Sequence, residues 1–174
     1  PVEGKFNLMA FGADPTGALN SRPAAVKWLN RAVNAGKIAY IPEGTFLLPN
    51  AIGMDVTGQH VQIKGVSRYT SILRVPPVNT VGGILLTNSD ITGSLIASDF
   101  CIARDGWGGT ALAYTMPEGG VNTYRTATVS RVTARGWDRT GCGFTTGIDL
   151  TGTWRPLVSD CQAQGPWPVA SQTN

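Results

Sequence analysis

Hydrophobic positions recur along this chain with two different periods. Between Ser21 and Ala35, the residues Ala25, Trp28, Leu29, Ala32 and Val33 fall three and four places apart, with Lys27, Asn30, Arg31 and Asn34 on the other side. Ser21 stands where an N-cap belongs, Pro23 lies in the first turn and Gly36 follows as a stop, so one amphipathic helix is predicted over Ser21–Ala35. From Lys37 onward the pattern changes to short β-branched or alternating runs separated by Gly, Asn, Asp and Thr. Strands are predicted at Ile38–Ile41, Thr45–Leu48, Val61–Lys64, Ser71–Val75, Ile84–Thr87, Leu95–Ile102, Thr126–Ala134 and Leu157–Ala163.

The later runs repeat. Ser98-Asp99-Phe100-Cys101-Ile102-Ala103-Arg104-Asp105-Gly106-Trp107 aligns with Ser130-Arg131-Val132-Thr133-Ala134-Arg135-Gly136-Trp137 and with Ser159-Asp160-Cys161-Gln162-Ala163-Gln164-Gly165-Pro166-Trp167. The tryptophans recur every 30 residues, whereas the serines are 32 and 29 apart. A unit of this size cannot bury its own apolar face and is stable only when stacked on neighbours. With strands in each unit, the expected fold is all-β: a single-stranded right-handed parallel β-helix with one N-terminal capping α-helix. In the second repeat Ala127, Val129, Val132 and Ala134 are expected to point inward and Ser130, Thr133 and Arg135 outward, with a tight corner at Ser130-Arg131. A β-sandwich is the rival, but it accounts neither for the repeat nor for a lone N-terminal helix.

Phe11-Gly12-Ala13-Asp14-Pro15-Thr16-Gly17, the helix with Ala24-Ala25 and Ala32-Val33, and then Ala39-Tyr40-Ile41-Pro42-Glu43-Gly44-Thr45-Phe46-Leu47-Leu48 form a recognisable opening. It resembles the start of the pectate-lyase-like superfamily of right-handed parallel β-helices, and Val61–Gly65 continuing to Thr70–Leu73 resembles the next coil. Members include bacteriophage tailspikes and tail-associated depolymerases, exopolysaccharide lyases, epimerases and polygalacturonase-like hydrolases. The resemblance implies a helix lying across the open end of the stack, a bacterial surface polysaccharide as partner, and a homotrimer or other virion tail proteins as assembly partners. It implies a virion tail or extracellular location. One domain is expected over residues 1–174, with the cap at about 1–36, coils at about 37–165 and a polar tail at 166–174. No C-terminal capping helix follows Gly165 and the chain opens on Pro1, so it reads as an N-terminal fragment, a short module or a subunit capped by a partner.

Composition narrows the chemistry. Of 174 residues only 14% are charged, His60 is the lone histidine, and the net charge of +3 comes from scattered arginines without a basic run. Nucleic-acid binding and membrane insertion are not expected, and no cofactor is implied. Cys101, Cys142 and Cys161 form no CxxC pair and read as idle thiols; no acidic cluster marks a metal site.

Two carboxyls on adjacent coils are what a glycosidase needs, which makes Asp105 and Asp138 candidate catalytic residues and equally ordinary turn residues. Asp99, Arg131 and Asp160 occupy one corner of successive repeats and read as a charge ladder. Trp107, Trp137 and Trp167 are candidate substrate-binding residues in an axial column, with loop packing and a subunit interface as the other uses of such a strip. The resulting expectation is a tailspike or tail-fibre module that binds polysaccharide or links such a module to the virion, with a polysaccharide hydrolase or lyase as the alternative.

Overall fold

The computed structural model describes residues 4–90, 92–116, 126–137 and 142–164. Strands β1 (Lys5–Asn7) and β2 (Thr16–Asn20) precede helix α1 (Arg22–Asn34). The strands that follow come in threes: β3 (Ile38–Ile41), β4 (Gly44–Leu47) and β5 (Ile52–Asp55), then β6 (His60–Gly65), β7 (Ser71–Val75) and β8 (Gly82–Thr87). Next come β9 (Ser94–Ser98), β10 (Cys101–Arg104) and β11 (Thr110–Thr115), then β12 (Ala127–Ser130), β13 (Thr133–Gly136) and β14 (Thr146–Asp149), and last β15 (Leu157–Ser159) and β16 (Gln162–Ala163). From β3 onward each strand pairs in parallel with the strand three places further on, giving the sheets β1-β3-β6-β9-β12-β15, β2-β4-β7-β10-β13-β16 and β5-β8-β11-β14. This arrangement of all-parallel sheets with one helix is compatible with a parallel β-helix.

Register explains the core. Ala39, Ile63, Ala97 and Val129 stand in line in the first sheet, Phe46, Leu73, Ile102 and Ala134 in the second, and Ile52, Ile84 and Leu112 in the third. All are buried, so the alternation read from sequence is the inward row of each strand. Ala127, Val129, Val132 and Ala134 are buried as expected. Thr133, expected outward, is buried too: it is in register with Cys101, whose thiol is reached by the Arg135 side chain across the same face.

The three long runs predicted from Leu95, Thr126 and Leu157 each divide into two strands. The break falls at Asp99, Arg131 and Asp160, which take left-handed φ values of 65°, 51° and 52°. One left-handed residue swings the chain from the first sheet into the second, so the corner placed at Ser130-Arg131 recurs in all three repeats. Strands β1, β2, β5, β11 and β14 were not predicted, and four of the five are short or carry glycine or polar residues at alternate positions.

Helix α1 lies against β1, β3, β5 and β6. Its Ala25, Trp28, Leu29 and Ala32 are fully buried, and the Trp28 indole N–H donates to the Phe6 carbonyl at 2.7 Å. Ser21 does occupy the N-cap position but makes no side-chain cap. Its hydroxyl instead accepts from the Asp14 N–H and donates to the Asp14 carbonyl, while Asn20 Oδ1 accepts from the Arg22 N–H. The Asp14 carboxylate accepts backbone N–H groups of Leu19, Thr16 and Ala18, which holds its pKa below the ordinary value. The conspicuous Gly-Ala-Asp-Pro-Thr-Gly segment is thus a self-bonded turn that delivers the chain to the helix.

Candidate functional site: the corner after β10

Strand β10 ends at Arg104, and its extension carries Asp105, Gly106 and Trp107 around the edge of the second sheet. Along β7 the alternation turns Leu73 and Val75 inward and Arg74 outward. Arg74 reaches up one strand, where its Nε meets Asp105 Oδ2 at 2.9 Å in a partly buried pair. The same guanidinium lies 4.6 Å from the centre of the Trp137 ring. Trp137 is held there because its N–H donates to the Arg104 carbonyl at 2.7 Å, which continues the β10–β13 ladder by one residue. A cation, a carboxylate and an aromatic face therefore meet at one corner; Trp107, two residues past Asp105 in the chain, is 51% exposed.

Such a set suits a polyol. Carboxylate and guanidinium offer acceptors and donors to hydroxyl groups, and an indole face covers the C–H face of a sugar ring. Arg74 was not singled out from sequence. The signal was present, since arginine interrupts the apolar run Ser71–Val75 at an outward place and stands 31 residues, about one repeat, before Asp105.

The tryptophan column requires correction. Trp137 extends the ladder above Asp105, whereas Trp107 pairs with Gly143. The ladder joins Arg104 to Gly136 and Ser98 to Ser130, an offset of 32 residues, so the 30-residue tryptophan spacing is two residues out of register. Asp138 and Trp167 lie outside the described residues.

The charge ladder is formed at the other corner. Arg131 donates through Nη2 to Asp99 Oδ2 at 2.9 Å and through Nε to Oδ1, and these bonds hold the Asp99 carboxyl below and the Arg131 guanidinium above their ordinary pKa values. Asp160 adds only an unbonded attraction to Arg131, while its carbonyl accepts from Arg68. His60 is exposed, with Nδ1 2.8 Å from Ser94 Oγ. Burial raises the Cys101 thiol, opposed by Arg135; Cys142 Sγ accepts from the Gly106 N–H.

An open cleft of about 260 Å³ is lined by Thr87, Asn88, Ser89, Thr115 and Met116. Its buried Asn88 is already committed, accepting from the Gly58 and Asp90 N–H groups and donating to the Tyr114 hydroxyl. Among the described residues no group of three or more His, Cys, Asp or Glu is placed to hold a metal ion, and no helix is long and apolar enough to cross a membrane. No protein-family model, curated protein or solved structure matches this chain.

Proposed function

We propose that the chain is a right-handed parallel β-helix of the pectate-lyase-like kind, working as a bacteriophage tailspike or tail-fibre module that recognises a bacterial surface polysaccharide. The observation that carries the reading is the corner itself: Arg74 bonded to Asp105 beneath Trp137, with Trp107, two residues further along the chain, exposed. Parallel strands stacked at about 4.8 Å repeat a surface along one axis, which matches the repetitive shape of a glycan chain. The module works as a homotrimer or joined to other virion tail proteins, a reading supported by the exposed apolar side chains of Trp154, Leu157 and Val158 at and near β15.

Binding is favoured over cleavage because Asp105, one of the two carboxyls acid–base hydrolysis would use, is engaged by Arg74. The test is a panel of bacterial capsular and lipopolysaccharide glycans, scored for retention of the protein and for release of reducing ends or unsaturated uronate. Retention without product is expected. Product formation moves the reading to a hydrolase or lyase, and absence of both refutes it; light scattering on the same samples reads the expected trimer.

A further inference from the structure

The fold gathers cations that the sequence spreads out. Residues 43–174 hold nine Lys or Arg and nine Asp or Glu, so the whole net charge of +3 resides in residues 1–42. Lys27 and Arg31 stand one turn apart on the outer face of α1, whose other face is buried. Arg31 lies 6.0 Å from the centre of the Phe6 ring, Lys5 precedes Phe6 in β1, and Lys37 precedes Ile38, the register partner of Lys5. All four cations are exposed, and among the described residues none of them makes an ion pair. The Asp14 carboxylate is spent on its own turn, accepting from Thr16, Ala18 and Leu19. Attraction to the C-terminal end of the helix accounts for Arg31 and Lys37. It leaves Lys5 in a strand, and Lys27 at mid-helix one turn from a like charge that weakens the helix.

We propose that this edge of the cap docks an acidic segment of another protein, with Asp or Glu carboxylates repeated at about 6 Å, one turn of a helix or two residues of a strand. Two of the cations rest on aromatic rings, Arg31 on Phe6 and Lys5 on Tyr40 at 5.3 Å, so their charge is held in place before a partner arrives. Phe6 and Tyr40 are half-buried, and a cation over each leaves little ring for stacking a nucleic-acid base or a sugar. A bilayer would need an apolar face to enter, and that of α1 is spent on the core. Met9, 45% exposed on the short helical turn Leu8–Phe11 that packs on α1, adds the kind of apolar contact that protein interfaces use. The surface is separate from the sugar-binding corner, which stands on β7, β10 and β13, so either reading can fail alone.

The test uses the full chain and a fluorescein-labelled glutamate-rich peptide of about a dozen residues, read by anisotropy in about 0.15 M sodium chloride, where distant charges are screened. The wild type is expected to bind, and Lys27→Gln/Arg31→Gln to bind at least about tenfold more weakly. Lys64→Gln/Arg155→Gln, which removes equal charge elsewhere, is expected to stay within about twofold of the wild type. The same peptide added to nitrogen-15-labelled wild type should shift the amide signals of Lys5, Lys27, Arg31 and Lys37 and leave the Trp137 indole unmoved, which reads the surface without a variant. No binding at that salt, equal loss in the two variants, or shifts centred elsewhere would overturn the proposal. So would tighter binding of duplex DNA, of polygalacturonate or of phosphatidylglycerol vesicles than of the peptide, each of which would assign the surface to that polyanion instead.

Discussion

Replacing Trp28 with alanine probes the seam between helix and sheets. The indole is fully buried among Ala25, Leu29 and Ala32 of its own helix, and the helix rests on β1, β3, β5 and β6. Two losses combine: the packing of a large ring and the 2.7 Å bond to the Phe6 carbonyl. Truncating a buried aromatic to alanine costs about 3–5 kcal/mol, because the cavity collapses only in part. For a chain of this size each kcal/mol moves the melting temperature by roughly 2–4 °C, so a fall of about 6–20 °C is expected. Trp28→Phe keeps most of the ring and loses the N–H, and is expected to cost about 1–3 kcal/mol. Urea unfolding followed by far-ultraviolet circular dichroism measures both. A loss below about 1 kcal/mol for Trp28→Ala would refute the packing of α1 on the sheets.

Two further substitutions test the frame and its electrostatics. Gly82 has φ of 143° and approaches the Thr110 carbonyl so closely that a Cβ would overlap its oxygen, so Gly82→Ala is expected to cost at least about 2 kcal/mol in urea unfolding, against little change if the third sheet is not built this way. The Asp99 carboxyl, lowered by Arg131, stabilises the fold above the unfolded aspartate value near pH 4 and loses that contribution as pH falls through the folded value. Asp99→Asn should therefore be less stable than the wild type at pH 7 and converge on it in acid; parallel stability–pH curves would show that the ladder contributes nothing.

The sequence shows the first two sheets more plainly than the third. Ile38–Ile41 and Ser71–Val75 are strands with the bounds their β-branched alternation indicates. In the third sheet the same alternation is blurred: Gly53 takes an outward place, Gly147 stands against the side chains of Ala134 and Ala163, and Thr110–Thr115 mixes alanine with larger residues, so the pattern lacks contrast even though Ile52, Ile84 and Leu112 line up inside. The corners were legible at Ser130-Arg131 because the repeat places a polar pair between two inward residues. Their left-handed backbone was not, since arginine and aspartate are unremarkable there in composition alone.

The candidate site was half legible. Arg74 joins Asp105 to the Trp137 ring at one corner, whereas Trp107 pairs with Gly143. Conspicuous residues repeat every 30 positions, whereas the ladder advances by 32 at this level, and the quieter serines carry the true register. Arg74 and Arg104 escaped notice because an isolated arginine in a strand reads as a solvated position until the pairing shows what stands above it. Only register tells that one faces outward to an acid and an indole and the other faces the core.

Nitrogen-15 spectra of the tryptophan side chains test the functional account most directly. The chain has five tryptophans, so five indole N–H signals report separately, and buried Trp28, bonded to Phe6, serves as an internal reference. Titration with an oligosaccharide cut from the glycan that retains the protein should shift the Trp137 and Trp107 signals, with Trp28 unmoved. A shift confined to Trp154, or saturating binding that leaves Trp107 and Trp137 where they were, would contradict the placement of the sugar site at the Arg74–Asp105 corner.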